Sequence, residues 1–132
     1  MGRIGTLTGR ILISIIFLMA GLSKIGNFNG TAAYMAAYGM PLTQLFAIGA
    51  IIVEIAGGLS LLLGYMSKFG AILLFIFMIP ATLIFHTNFG DQMQVIHFMK
   101  NLAIMGGLSY IAACGPGELS LDSRLKRQQG HD

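Results

Sequence analysis

Four long apolar segments constrain this chain more than any other feature of its sequence. They cover about residues 4–23, 42–64, 67–85 and 95–114, and a helix needs about 20 apolar residues to cross a bilayer. Of the 132 residues, 55% are hydrophobic and only 10% are charged, which is too little polar surface to cover a soluble domain. The sequence therefore predicts an all-α integral membrane four-helix bundle over residues 1–116.

The segment between the first two spans is predicted to form a short helix of its own. Asn29 is a candidate N-cap, and Gly39-Met40-Pro41 ends the segment. Tyr34 and Tyr38 are four residues apart, so they share one face of the helix. An amphipathic helix of this kind is typical of the membrane–water interface. We expect it to lie there, between helices 1 and 2.

The distribution of basic residues predicts the orientation, because Lys and Arg are retained on the cytoplasmic side. With both termini in the cytoplasm, residues 117–132 become a short basic cytoplasmic tail. Only Lys24 and Lys100 then lie toward the outer half. The net charge of +3 reflects this topology, and there is no basic stripe interleaved with aromatics. We expect a lipid bilayer as the partner and no nucleic acid. The basic residues on the cytoplasmic side are Arg3, Arg10, Lys68, Arg124, Lys126 and Arg127.

Five polar side chains fall within the apolar spans or at their ends. A charged group at the centre of a bilayer costs about 2.5 to 3.5 kcal/mol on insertion scales, so each such residue is a candidate functional residue. We predict that these five form one polar cluster inside the bundle. They are Lys24, Glu54, His86, Lys100 and Asn101.

Glu54 needs a cationic partner at this depth. Counting about 1.5 Å per residue from the cytoplasmic ends puts Arg10, Glu54 and Lys100 at roughly 9, 15 and 21 Å. The favoured prediction is a pair with Lys100, with the rest of the cluster forming the polar mouth of a cavity open outward. The alternative is structural: Glu54 and Arg10 form a bridge that specifies the fold, while Lys24 and Lys100 extend to the outer interface.

The sequence contains no catalytic motif. It has no Gly-rich phosphate loop, GxSxG or HExxH, and its single cysteine, Cys114, cannot form an internal disulfide or a CxxC pair. His86 and His97 could face each other as metal or haem ligands, but two histidines alone are weak evidence for such a site. We expect no metal site and no catalysis by this chain alone. Any chemistry would reside in a cofactor or a partner.

The order of glycine, proline and polar residues along the chain is distinctive. It runs Arg10, Ala20-Gly21-x-x-Lys24, Tyr34 with Gly39-x-Pro41, Glu54 with Gly57-Gly58, Gly64 before Lys68, His86-x-Asn88-Phe89, Phe98-x-Lys100-Asn101-Leu102, Gly106-Gly107, and Gly115-Pro116-Gly117 with Ser120-x-Asp122. This series covers nearly the whole chain and resembles the DoxX family of small bacterial inner-membrane proteins. Lys68 stands where Arg is also common in such proteins.

The resemblance implies a four-helix bundle of the bacterial inner membrane, with the same five residues as the polar positions most like the family pattern. The family name comes from a subunit linked to sulfur oxidation with quinone as acceptor, and relatives have been connected with redox stress and thiol homeostasis. It therefore implies a redox-associated membrane subunit whose pocket binds quinone or a small molecule. The open alternatives are an assembly partner of other membrane or redox proteins, and a small-solute carrier acting as a homodimer.

Overall fold

The computed structural model describes residues 2–130, and over that range the chain is helical with no strand. Four of its helices are long and apolar enough to cross a membrane, α1, α3, α4 and α5, which confirms the predicted all-α four-helix bundle. The helices are α1 (Gly2–Gly26), α2 (Phe28–Ala37), α3 (Thr43–Leu63), α4 (Ser67–Phe85), α5 (Gln92–Cys114) and α6 (Leu121–Gln129).

Two helix starts differ from the sequence prediction. The short helix α2 begins at Phe28 after Asn27, so Asn29 lies inside the helix and is not its N-cap. Helix α5 begins at Gln92 because Asp91 caps it, accepting a hydrogen bond of 2.9 Å from the backbone N–H of Met93. A short helix thus connects the first two spans, while its location in the membrane interface stays a prediction.

The bundle has two ends that hold different short helices. α1 packs mainly against α3, α3 also packs against α4, and α4 packs against α5. At one end, the α2 end, Gln94 near the start of α5 lies 3.5 Å from the Tyr38 hydroxyl at the end of α2. At the other, the α6 end, Asp122 contacts the turn between α3 and α4. α1 and α4 therefore run toward the α2 end, and α3 and α5 run away from it.

Paired glycines in the second half of α3 allow helices to approach it from two sides. A Cβ atom on Gly57 would lie 2.6 Å from Cγ of Leu74 in α4. A Cβ atom on Gly58 would lie 2.9 Å from Cγ of Leu18 in α1. Close backbone approach of this kind is a main source of helix association in a membrane. α3 is therefore the helix that holds α1 and α4 in place.

Arg10 and Asp122 hold the C-terminal segment, which includes α6, against the end of α3 and the start of α4. Arg10 is 2% exposed, and its guanidinium donates hydrogen bonds to the carbonyls of Leu61, at 2.9 Å, and of Leu119. The Asp122 carboxylate accepts hydrogen bonds from the backbone N–H groups of Met66, at 2.8 Å, and of Ser67, at 3.1 Å. It thus caps the start of α4 from another helix.

The same contacts set the ionisation of Asp122. Burial favours the neutral acid, but hydrogen bonds from Met66 and Ser67, together with the charge of Lys126, outweigh it. They hold the pKa of Asp122 below its ordinary value of 3.8. A carboxylate whose pKa is lower in the folded state stabilises that state above the unfolded pKa, and this contribution is lost as the pH falls through the folded pKa.

We expect Asp122→Asn to lower the free energy of unfolding by about 1.5 kcal/mol, because the variant loses hydrogen bonds to a charged group. Thermal unfolding in detergent, followed by circular dichroism, measures this. The difference in the free energy of unfolding between wild type and variant should be largest at neutral pH and should decrease below pH 3.8. The control is Glu118→Gln, which breaks only the Arg3–Glu118 surface pair, with both side chains 60% exposed, and should have little effect. Equal effects of the two variants would contradict the capping role.

Candidate functional site: a cavity with a polar cluster

A cavity of about 620 Å³ lies between the helices at the α2 end. This volume falls in the range of roughly 300 to 1,000 Å³ that is typical of small-molecule sites. Its walls are mostly apolar and include aromatic and thioether side chains. Helices α1 to α5 all contribute to it, for example through Phe17, Met35, Phe46, Met78 and Ile104.

The five residues of the predicted polar cluster all line this one cavity. They come from α1, α3 and α5 and from the end of α4, so they lie far apart in the sequence. Arg10 does not line the cavity, because its side chain contacts the α6 end of the bundle. The structure therefore brings the five together, whereas what they bind is a matter for proposal.

Glu54 forms a buried ion pair with Lys24. The Lys24 Nζ atom lies 2.9 Å from Oε1 and 2.9 Å from Oε2 of Glu54. The Glu54 side chain is 6% exposed and that of Lys24 is 24% exposed. Contact with both carboxylate oxygens neutralises a charge that would otherwise be costly in a membrane.

The predicted pairing of Glu54 with Lys100 is wrong, and so is the alternative bridge to Arg10. Helical side chains point toward the N-terminus of their own helix. Lys24 on α1 therefore points back into the bundle and Glu54 on the antiparallel α3 points toward the α2 end, so the two converge. By the same rule Lys100 points away from the middle of the bundle, and Arg10 points toward the α6 end.

Gly21 gives α1 the close approach to α3 that the ion pair needs. It lies three residues before Lys24 and is buried. A Cβ atom there would lie 2.6 Å from Cδ1 of Ile55 and 3.5 Å from Cβ of Glu54. The spacing Gly21-x-x-Lys24 thus places a small residue and the cation on the same face of α1.

The remaining three predicted residues lie where α4 meets α5. The amide Nδ2 of Asn101 donates a hydrogen bond of 3.1 Å to the Thr82 hydroxyl. The ring of His86 lies 5.1 Å from that of His97. Lys100 takes part in no ion pair among residues 2–130. Thr82 was not predicted, although its position four residues before His86 places the two on one face of the helix.

An aromatic cluster beside the cavity was also not predicted from the sequence. The Tyr34 ring stacks on Phe85 with their centroids 5.4 Å apart, and Tyr38 lies 5.1 Å from the same Phe85 ring. Tyr34 and Phe85 line the cavity. The hydrogen bond with Tyr38, aided by burial, raises the pKa of Tyr34 to about 12. The Tyr34 hydroxyl is therefore neutral at physiological pH.

The arrangement of side chains that could act as metal ligands does not favour a metal site. Within the described part of the chain, no three His, Cys, Asp or Glu side chains come together as metal ligands. His86 and His97 alone supply two ligands, whereas protein zinc sites use three or four.

The ion pair can be tested with a double-mutant cycle. Removing either charge alone, by Lys24→Met or Glu54→Gln, should destabilise the bundle, by about 3 kcal/mol where a buried charge is left unpaired. The double variant should be less destabilised than the sum of the two single variants, by more than about 0.5 kcal/mol. Unfolding in mixed micelles measures these free energies.

The matched control is the cycle between Lys100→Met and Glu54→Gln. It changes another lysine of the same cavity that lies away from Glu54, so its effects should be additive within about 0.5 kcal/mol. Coupling of Glu54 to Lys100 instead of Lys24 would contradict the observed pairing.

Comparisons with known proteins place the chain in a family. The DoxX family model matches residues 5–87. The chain is 38% identical over 125 residues to "Inner membrane protein YqjF" of Escherichia coli (strain K12), covering 95% of each protein. It is 34% identical over 123 residues to "Inner membrane protein YphA" of the same strain, covering 89% of this chain and 88% of the relative.

A more distant relative is "Putative oxidoreductase CatD" of Bacillus subtilis (strain 168). The identity is 33% over 79 residues, which is 60% of this chain and 58% of the relative. No solved structure matches the chain significantly. The family model covers more than half of the chain and YqjF matches nearly all of it, so this membrane protein belongs to the DoxX family.

Proposed function

We propose that this chain is a redox-associated subunit of the bacterial inner membrane that binds a small amphiphilic molecule, with a quinone as the first candidate. The observation that carries the proposal is a cavity of about 620 Å³ that is apolar along most of its wall and is lined by all five polar cluster residues. A mostly apolar pocket with a few convergent polar groups is the usual form of a small-molecule site. The relatives named as inner membrane proteins support the location.

The groups around the cavity suit the parts of a quinone. Its ring carbonyls are hydrogen-bond acceptors, and Lys100 and His86 supply donors at the cavity wall. The His86 Nδ1 atom is buried and has no hydrogen-bond partner among the described residues. Aromatic rings pack well in offset stacks, and Tyr34 and Phe85 offer faces for this. The apolar remainder of the molecule would then contact the aliphatic and thioether walls.

The proposed redox association follows from the name of a relative. One relative bears the name "Putative oxidoreductase CatD". A quinone carries electrons itself, so this chain's residues need only bind and orient it. We propose that a partner protein exchanges the electrons.

We also propose that the α6 end faces the cytoplasm, because it holds most of the basic residues of the chain. Arg3, Lys68 and the helix α6, with Arg124, Lys126 and Arg127, all belong to that end. Basic residues are retained on the cytoplasmic side. The cavity would then lie in the outer half of the membrane.

Blocking the cavity tests the proposal. Gly49 lines the cavity and has no described atom within 4 Å of its Cβ position, so Gly49→Leu should occupy ligand space without a clash. We expect the variant to bind decylubiquinone at least about tenfold more weakly than wild type, a loss of 1.4 kcal/mol. Titration of the protein in lipid nanodiscs measures this.

The control is Gly106→Leu on α5, at a position that also has open space around its Cβ within the described chain but does not line the cavity. Its affinity should equal that of wild type. Undetectable binding to wild type, or equal affinity of Gly49→Leu and wild type, would contradict the proposal.

A second candidate function is an assembly partner for other membrane proteins. Gly5 and Gly9 form a GxxxG spacing on α1, and neither has a described atom within 4 Å of its Cβ position. This small-residue face is open to another transmembrane helix. Co-purification of a stoichiometric partner in mild detergent, lost in Gly5→Leu/Gly9→Leu, would support this function over ligand binding alone.

A further inference from the structure

The positive and negative charges of the side chains that line the cavity are unequal in number. Lys24 and Glu54 cancel each other, with 2.9 Å between Nζ and each carboxylate oxygen. Lys100 lines the same cavity, and within residues 2–130 it forms no ion pair. The ion pair together with Lys100 therefore leaves one net positive charge in the cavity wall.

The other carboxylates of the described chain are engaged elsewhere. Asp91 caps α5 through the backbone N–H of Met93. At the opposite end, Glu118 pairs with Arg3 and Asp122 caps α4. The protein itself thus supplies no counter-charge to Lys100 within the range that the structure describes.

The position of Lys100 makes this charge significant. Lys100 is eight residues into α5, which places it roughly 12 Å along the helix from its start. The Lys100 side chain is exposed and points toward the α2 end, so its ammonium group is accessible to the head group of a ligand in the cavity. An anion bound at this end of the cavity would therefore form an ion pair with Lys100.

The surroundings of His86 add to the same subsite. His86 lines the cavity beside Lys100, and its ring lies 5.1 Å from that of His97. The Nδ1 atom of His86 is buried and has no partner within the described residues. A neutral imidazole can donate one hydrogen bond, so an anionic oxygen could contact both an ammonium and an imidazole N–H here.

We infer that the natural ligand carries an anionic oxygen head group, a carboxylate or an ionised hydroxyl, bound by Lys100 and by His86. Its apolar remainder lies along the wall that includes Phe17, Met78 and Ile104. This inference rests on the proposed function, because it specifies the chemical class of the amphiphile that the cavity binds. It predicts selection by charge between molecules of equal length.

The test compares matched probes on the full-length chain in phosphatidylcholine nanodiscs, with empty nanodiscs subtracted. Dodecanoate and dodecanol differ in their head group, and an ionised 2-hydroxy-3-alkylnaphthoquinone is compared with its 2-methoxy analogue. The anionic member of at least one pair should bind at least about tenfold more tightly, equivalent to 1.4 kcal/mol. The pair that shows this preference identifies the head group as a carboxylate or an ionised hydroxyl.

Variants assign the preference to Lys100. Lys100→Gln should bind the anionic and neutral members of each pair equally, and a circular dichroism spectrum and thermal unfolding curve like those of wild type show that it is folded. Lys100→Arg should retain the preference, and so should Lys68→Gln, which removes a charge at the α6 end.

The outcomes separate this inference from the proposed function. Equal affinity for both members of each pair would overturn the anionic head group and leave the binding function standing. A preference that persists in Lys100→Gln would overturn the assignment to Lys100. Failure of all four probes and of decylubiquinone to bind would overturn both the inference and the proposed function.

Discussion

The ion pair between Lys24 and Glu54 is the interaction on which the rest of the site depends. An isolated charge is costly within a membrane, so an ion pair is favoured between a lysine and a glutamate in facing apolar helices. Here they meet with 2.9 Å between Nζ and each carboxylate oxygen. Gly21 removes the side chain that would hold α1 and α3 apart at this level. The pair thus fixes one wall of the cavity. Because the two charges cancel, it adds no net charge to that wall.

The bundle itself was predictable from the sequence, and so was the membership of the polar cluster. Both follow from the free energy of transferring each side chain into hydrocarbon. This free energy depends on the residue type and on whether the residue lies within an apolar span. The partner of Glu54 was not predicted, because heights along the helix axes ignore the direction of the side chains. Lys24 and Glu54 point toward each other along antiparallel helices, whereas Lys100 and Arg10 point away. The docking of Asp122 onto α4 was missed because a cap supplied by a distant segment leaves no local pattern.

Fold and family membership constrain the function less than the cavity does. A four-helix bundle can support unrelated activities, so function must be argued from the site. The site combines an apolar wall, the aromatic rings of Tyr34 and Phe85, a neutralised pair, and a Lys100 that forms no ion pair with the residues that the structure describes. The apolar wall, the aromatic rings and Lys100 would suit three parts of an amphiphile, which are its tail, its ring and its charged head. These features are the basis of our proposal that the molecule is a membrane-embedded receptor for such a ligand.

The most direct test of this account is the ionisation state of Glu54 in a lipid bilayer. Infrared difference spectra of the protein in nanodiscs, with bands assigned by their loss in Glu54→Gln, distinguish a carboxylate from a protonated acid. The account predicts a carboxylate band at neutral pH in the wild type, replaced by a protonated-acid band in Lys24→Met because the counter-charge is gone. A protonated Glu54 in the wild type, or a spectrum unchanged by Lys24→Met, would contradict the ion pair on which the cavity depends.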